Sequence, residues 1–289
     1  MSFPWSKVKL SRQVKTINDV SAVNSGNQTF LLYDNKCQKN LLFVGSCRLV
    51  QFAFYFNNLG VDSLKRNIYY IYVPDWGNEE LRNKMPRNII RNILKDTDII
   101  ICESMCHYGI LNTTDTEVNF FKEFEVTNKM IFRLPNLELR MYHYETMTRF
   151  KQPSEEAVNY FKKSKQHLFS KLNELGYEKV SEFIERNLFK TKLFNTFNHP
   201  RRVLSLFMFK QLMIKFGILL KSDFFQDMNN YPFLECRDFP IIQRDLDAYG
   251  LQFKCNISPD AILDNPLAFV KQPLDSYTFV DSDEFIIIR

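Results

Sequence analysis

The sequence predicts an α/β fold in which helices cover both faces of a parallel sheet, a three-layer α/β/α arrangement of Rossmann-like type. Short, nearly continuous apolar runs alternate with segments of helical periodicity, which is typical of a parallel sheet buried on both sides. Gly or Pro residues mark the turns between these segments. Right-handed crossovers would bring the carboxyl ends of the strands to one edge, where such folds bind ligands.

Four apolar runs predict the strands of this sheet, and two weaker runs precede them. We expect the four strands at residues 41–44, 68–73, 98–102 and 129–134, and short ones near 8–10 and 29–33. Helical spacing predicts helices at 49–59, 79–94 and 117–125, then at 154–175, 180–189 and 200–220. Pro200 is expected in the first turn of the last helix, where its missing N–H costs nothing.

The chain of 289 residues fits one large domain or two small ones. We expect an N-terminal extension over residues 1–39 and an α/β catalytic domain over residues 40–221, which ends in extra helices. Residues 222–289 are rich in turns and are expected to form an irregular appendage packed on that domain.

The composition excludes several classes of protein. Apolar residues make up 45% and charged residues 25%, the balance of a soluble globular chain. No apolar run reaches the roughly 18–20 residues that cross a bilayer, so no membrane partner is expected. The net charge of +5 is mild and spread out, which does not indicate nucleic acid. Six cysteines without a visible export signal predict free thiols in the cytoplasm, or in the host cytoplasm if the source is viral. The sequence predicts no oligomeric state.

The strongest local motif is Gly45-Ser46-Cys47-Arg48, a turn between a buried strand and a helix. Backbone N–H groups at a helix N-terminus lie at positive potential, so they can hold an oxyanion and can lower the pKa of a thiol. Ser46 and Cys47 are therefore candidate catalytic residues. The alternative is a structural glycine turn with a buried cysteine.

The second motif is Asn198-His199-Pro200-Arg201-Arg202. A His beside a helix N-terminus is kept neutral and available as a base. The two arginines would occupy the first helical turn, which the helix dipole disfavours for cations, so they indicate an anionic ligand. The alternative is a capping His with two solvated arginines.

Two further loops follow the third and fourth strands. Cys102-Glu103-Ser104-Met105-Cys106-His107 lacks the spacing of a zinc site, so we expect Glu103 and His107 to line the pocket and no metal to bind. The polar and aromatic segment from Arg133 to Tyr144 contains Asn136 and His143, which are candidate sugar or nucleotide contacts. It could equally be ordinary surface. Dinucleotide, P-loop, zinc-protease and Gly-x-Ser-x-Gly motifs do not occur in the sequence.

Together, the strand–Gly45-Ser46-Cys47-Arg48–helix unit and the later Asn198-His199-Pro200 segment resemble the WcbI-type polysaccharide biosynthesis acetyltransferases, a branch with an SGNH-hydrolase-like fold. The resemblance covers roughly residues 40–215. It implies that Cys47 stands where SGNH enzymes carry their nucleophilic serine, and that His199 is the base. Thr196 stands where those enzymes usually carry an aspartate before the histidine, and Ser46 and Arg48 replace amide side chains of the family.

The resemblance implies binding of coenzyme A or acetyl-CoA and acyl transfer to a hydroxyl or amino group of a sugar, expected to be nucleotide-linked, for a surface glycan. Gly45, Arg48, Arg201 and Arg202 are the candidate coenzyme A contacts, since Arg binds phosphate bidentately. Two alternatives stay open. One is an esterase or deacetylase with Cys47 or Ser46 as nucleophile, and the other is a non-catalytic module that binds a nucleotide or glycan.

Overall fold

The computed structural model describes residues 13–16, 30–33, 39–57, 59, 66–72, 87–104, 116–140, 155–196, 199–220, 224–225, 247–252, 277–279 and 285–287. The described residues fall into two compact units. The first contains those up to Asn136, and the second contains those from Leu137 onward.

A six-stranded sheet organises the first unit. Its strands are β1 (Gln13–Thr16), β2 (Phe30–Tyr33), β3 (Lys39–Gly45), β4 (Arg66–Tyr72), β5 (Thr97–Glu103) and β6 (Met130–Leu134). They lie in the order β1-β2-β4-β3-β5-β6. Strands β4, β3, β5 and β6 are parallel, as predicted. The β1–β2 hairpin adds an antiparallel edge, because β2 pairs antiparallel with β4.

Helices cover both faces of this sheet. They are α1 (Cys47–Asn57), α2 (Arg87–Lys95) and α3 (Thr116–Glu123). Leu42 and Val44 of β3 share an apolar cluster with residues of α2 and α3. Phe43 points the other way, since successive strand side chains alternate, and its ring lies 6.0 Å from that of Phe56 in α1. The predicted three-layer α/β/α fold is therefore confirmed.

The second unit is mainly helical. Its helices are α4 (Glu155–Glu174), α5 (Glu178–Asn187) and α6 (Arg202–Lys215). It also contains two short antiparallel strand pairs. In one, β7 (Phe194–Thr196) pairs with β8 (His199–Pro200), and in the other, β9 (Tyr277–Phe279) pairs with β10 (Phe285–Ile287). Ten of the 14 residues of α6 are buried, so apolar neighbours surround this helix on most sides.

The last helix begins two residues later than predicted. Pro200 lies in β8, and Arg201 is the extended N-cap of α6, with φ −66° and ψ 161°. The prediction overlooked that a residue before proline prefers extended backbone, which suits His199 to a strand. The Arg201 N–H donates to the Leu193 carbonyl at 2.7 Å and holds this extended segment in place.

The two compact units divide the chain at other residues than the predicted domains, whose boundaries stay a prediction. β1 and β2 fall within the expected extension of residues 1–39, yet they join the sheet, because β2 supplies a hydrogen-bonded partner for the edge of β4. The expected domain of residues 40–221 contributes to both units. In the expected appendage, the Gln252 N–H donates to the Phe189 carbonyl at 2.7 Å. The weak strand near residues 8–10 lies outside the described residues.

Among the helices that the structure describes, none has the length and apolarity needed to cross a membrane.

Candidate active site

The strand order places a topological switch point between β3 and β5. The chain leaves β3 for β4 on one side and later returns to β5 on the other, so β3 and β5 are neighbours at a topological switch point. Open α/β sheets bind ligands outside the carboxyl ends of the strands at such a point. Here Gly45 ends β3 and Ser46 follows it, while Glu103 ends β5.

Gly45 allows the two strand ends to approach each other closely. A Cβ atom at this position would lie 2.6 Å from Leu49 Cδ1 and 2.8 Å from Glu103 Cβ, which is closer than real Cβ contacts come. Position 45 therefore has no room for a side chain larger than that of glycine. The absence of a Cβ atom lets the Glu103 side chain pass beside the turn. This steric argument does not test the predicted contact between Gly45 and coenzyme A, which stays a prediction.

Ser46, Arg48 and Glu103 form a buried hydrogen-bonded network at this point. The Ser46 backbone N–H and hydroxyl both donate to Glu103 Oε2, at 2.8 and 2.5 Å. Arg48 Nε lies 2.6 Å from Glu103 Oε1 and also donates to Ser46 Oγ at 2.8 Å. The three residues are 5%, 7% and 2% exposed. Burial of a charge is costly unless it is paired and hydrogen-bonded, and each of these charged groups meets that condition.

The network changes what the turn can offer a ligand. The Glu103 carboxylate sits at the N-terminal end of α1, where the helix dipole favours an anion. It already uses the Ser46 N–H, and the Arg48 N–H points to Ser46 Oγ at 3.4 Å. A substrate oxyanion that used the Ser46 N–H would have to displace this carboxylate. Sequence reasoning named all three residues but not the contacts between them.

Cys47 is the first residue of α1, directly after this network. Its side chain lies outside the described part of the chain, so its role stays a prediction. The position is the helix N-terminal one that the sequence predicted.

Of the other predicted pocket residues, one is described by the structure and two lie outside the described residues. Asn136 is buried and follows β6 in the first unit, at the same edge of the sheet as Glu103, which pairs with Leu134. His107 and His143 lie outside the described residues, as do Cys106 and Met105 of the rejected zinc motif. In the part of the chain that the structure describes, no group of three or more His, Cys, Asp or Glu side chains could hold a metal ion.

His199, Arg201 and Arg202 belong to the second unit. His199 is half-buried and pairs with Thr196 in the short β7–β8 ladder, so it lies in a strand two residues before the helix cap. Arg201 is buried at the N-cap, while Arg202 opens α6 and is half-buried. Only Arg202 therefore occupies the first helical turn, where both arginines were predicted.

The segment from Arg133 to Tyr144 holds an ion pair that sequence reasoning missed. Arg140 Nε lies 2.6 Å from Glu138 Oε1, and the Glu138 side chain is almost fully buried. The Arg140 N–H donates to the hydroxyl of Ser164 in α4 at 2.9 Å. These contacts tie the segment to α4. The alternation of charged residues with leucines in Leu137-Glu138-Leu139-Arg140 would place Glu138 on an exposed face, so the sequence pattern gave no signal for its burial.

Comparison with known proteins adds one relationship. No family model matches the sequence, and no curated protein matches it. One solved structure is similar to this chain. The match covers 75% of this chain and 80% of the solved chain, with a TM-score of 0.50 and 15% sequence identity. It is WcbI, described as a polysaccharide biosynthesis enzyme, in a native form without the disulfide bond between coenzyme A and one of its cysteines. The likeness supports the α/β fold.

Proposed function

We propose that this protein is an acyltransferase that moves an acetyl group from acetyl-coenzyme A to a hydroxyl or amino group of a sugar, nucleotide-linked, in glycan biosynthesis. The observation that carries the proposal is the turn fixed by Ser46, Arg48 and Glu103 at the switch point, with Cys47 as the first residue of α1. The shared fold with a polysaccharide biosynthesis enzyme whose description includes coenzyme A supports the substrate class.

In the proposed reaction, His199 takes a proton from the acceptor group as that group attacks the thioester carbon. The carbon–sulfur bond breaks, His199 gives the proton to the leaving sulfur, and coenzyme A leaves as its thiol. A placed base contributes about 10²–10⁴-fold to the rate of such a step. We favour direct transfer over an acetyl-Cys47 intermediate, since moving acetyl from one thioester to another gains little energy.

The network suggests different roles for Ser46, which was predicted to be catalytic, and for Arg48, which was predicted to contact coenzyme A. The Ser46 hydroxyl is buried and is held by both Glu103 and Arg48, which favours a positioning role over nucleophilic attack. The Arg48 guanidinium is paired with a buried carboxylate, which favours a structural role for it, while Arg201 and Arg202 remain the proposed phosphate contacts.

The first test is calorimetric titration of the whole protein with coenzyme A and acetyl-CoA. We expect micromolar binding that weakens when Arg201 and Arg202 are both changed to Ala. Arg202→Ala alone tests the same contact without touching the buried N-cap residue. Arg186→Ala removes an exposed arginine from α5 and is the matched control, which should bind normally. Absence of binding to either compound in the unchanged protein would contradict the proposal.

Turnover separates the proposed function from its alternatives. A transferase releases the coenzyme A thiol only when a sugar acceptor is added, and the acetyl group appears on that sugar. An esterase or deacetylase needs only water as acceptor and does not require coenzyme A. A binding module shows no turnover, and its ligand affinity is unchanged in Cys47→Ala and His199→Ala. Acetyl-CoA without acceptor should leave the mass of the protein unchanged if transfer is direct.

A further inference from the structure

A cavity lies at the edge of the sheet opposite to Gly45 and Glu103. It opens where α2 ends at Lys95 and where the segment after α3 leads to Lys129, just before β6. Its volume is about 240 Å³. Ligand pockets for drug-sized molecules span roughly 300–1,000 Å³, so this cavity suits a smaller molecule.

The floor of this cavity is apolar and belongs to the core. Leu94 is a buried member of the apolar cluster beneath α2 and α3, and the half-buried Phe124 and Val126 pack against that cluster. An apolar group of a ligand could therefore rest on a surface that the protein already holds in place.

Backbone hydrogen bonds fix the wall on the side of α3. The Glu125 N–H donates to the Lys122 carbonyl at 3.2 Å, and the Val126 N–H donates to the Phe121 carbonyl at 3.0 Å. This is a Schellman ending, and Glu125 takes its left-handed position with φ 50°.

The end of α2 fixes the opposite wall. Thr97 Oγ1 donates to the Ile93 carbonyl at 2.7 Å, and Asn40 Nδ2 donates to the same carbonyl at 3.2 Å. The Asn40 backbone N–H donates to the Asp96 carbonyl at 3.0 Å. The cavity is thus preformed on both sides.

Three cations and one acid line the cavity: Arg91, Lys95 and Lys129, with Glu125. Within the described part of the chain, no hydrogen bond or ion pair engages any of the three cations. Arg87, one turn before Arg91, shows the contrast, because it is paired with Glu123 at 2.6 Å.

The placement of the cations indicates an anionic ligand. Arg91 and Lys95 are four residues apart on α2, and like charges at this spacing repel each other. The dipole of α2 favours Lys95 in its last turn, but it does not explain Arg91 one turn earlier or Lys129 on a different segment. An oxyanion between them would relieve the repulsion, and a guanidinium binds such groups bidentately.

We propose that this cavity binds a small organic oxyanion, a phosphate or carboxylate carried on a short apolar group. The anionic group meets Arg91, Lys95 and Lys129, and the apolar group rests on Phe124 and Val126. This site is separate from the Ser46–Glu103 network, and the proposal does not depend on the acyltransferase proposal.

The test is calorimetric titration of the full-length protein with phenyl phosphate at about 0.15 M salt, which screens general attraction between charges. We expect saturable binding that is stronger than that of inorganic phosphate, and no binding of phenol. The double variant Arg91→Gln/Lys129→Gln should bind about tenfold or more weakly, because two charge-assisted hydrogen bonds are lost. Both side chains lie at the surface rather than in the core, so the variant is expected to fold.

Lys122→Gln is the matched control, since Lys122 is an exposed cation on α3 that does not line the cavity. It should bind phenyl phosphate as the unchanged protein does. Three results would overturn the proposal: no binding, equal affinity in the double variant and the unchanged protein, or equal weakening in the double variant and the Lys122 control.

Discussion

The hydroxyl of Ser46 lies 2.5 Å from Glu103 Oε2, and the same oxygen accepts the Ser46 backbone N–H at 2.8 Å. A single carboxylate oxygen therefore joins the turn after β3 to the end of β5, across 57 residues of sequence. Because Arg48 pairs with the other oxygen of Glu103, the position of the turn depends on a buried charge pair as well as on the backbone.

Glu103→Gln should destabilise the protein strongly. The change leaves the Arg48 guanidinium buried without its counter-charge, and removal of one partner of a buried ion pair costs about 3–5 kcal/mol. The measurement is the free energy of unfolding from urea titration followed by circular dichroism. The double variant Glu103→Gln/Arg48→Met leaves no uncompensated charge, so it should recover part of that loss. Strict additivity of the two single changes would contradict this view of the network.

Gly45→Ala should also destabilise the fold, by about 1–3 kcal/mol, since the new Cβ would overlap Leu49 Cδ1 and Glu103 Cβ. Thermal unfolding measures the effect. Leu49→Ala removes only one of the two obstacles. We therefore expect Gly45→Ala/Leu49→Ala to remain less stable than Leu49→Ala alone, and equal stability of these two variants would show that Glu103 Cβ can move aside.

The apolar periodicity of the sequence predicts the core of this fold well. The run at residues 41–44 became β3, and the helical spacing that follows became α1, because strand and helix burial leave different spacings in the sequence. The turn after this strand was predicted for the same reason, but it is shorter than expected, because Gly45 ends β3 and Cys47 begins α1, which leaves only Ser46 between them.

The contacts within the candidate site could not be predicted in this way. Ser46 meets Glu103 only because β5 lies beside β3, and strand order is decided by the packing of the whole sheet rather than by the pattern of any one strand. The pairing of β2 with β4 was not predicted for a related reason. The edge of β4 that accepts β2 can be identified only when the order of the strands in the sheet is known. The late start of α6 is different, because it followed from His199-Pro200 and could have been predicted.

The stacked rings of Phe183 in α5 and Phe207 in α6 should be energetically coupled. Their centroids lie 4.3 Å apart with an interplanar angle of 16°. We expect a coupling of about 0.5–1.5 kcal/mol in a double-mutant cycle built from Phe183→Leu and Phe207→Leu. The readout is the free energy of unfolding of the four proteins, and a coupling within experimental error of zero would mean that the contact adds nothing beyond burial.

His167 should make the second unit less stable in mild acid. Burial lowers the pKa of His167 below 6.5, Lys171 lowers it further, and Glu138 and Glu174 act in the opposite direction. The unfolded chain then binds the proton more readily than the folded one. The stability contributed by neutral His167 is present above pH 6.5 and is lost as the pH falls below that value.

The check is the melting temperature of His167→Gln at several pH values between about 5 and 7.5, the range in which His titrates. The variant should lose less stability than the unchanged protein on acidification. Gln166→Ala changes the exposed neighbouring residue without removing a titratable group, and it should keep the original pH dependence. An identical acid response in His167→Gln and the unchanged protein would contradict the assignment.

The antiparallel pairing of β2 with β4 has a consequence for how the chain folds during its synthesis. The β1–β2 hairpin leaves the ribosome before β4, and its docking edge on β4 is not made until about 40 residues later. At roughly 5–20 residues per second, this strand edge waits about 2–8 s for its partner. An unpaired edge can pair with the wrong strand during that time, so the hairpin is vulnerable to misfolding until β4 has been made.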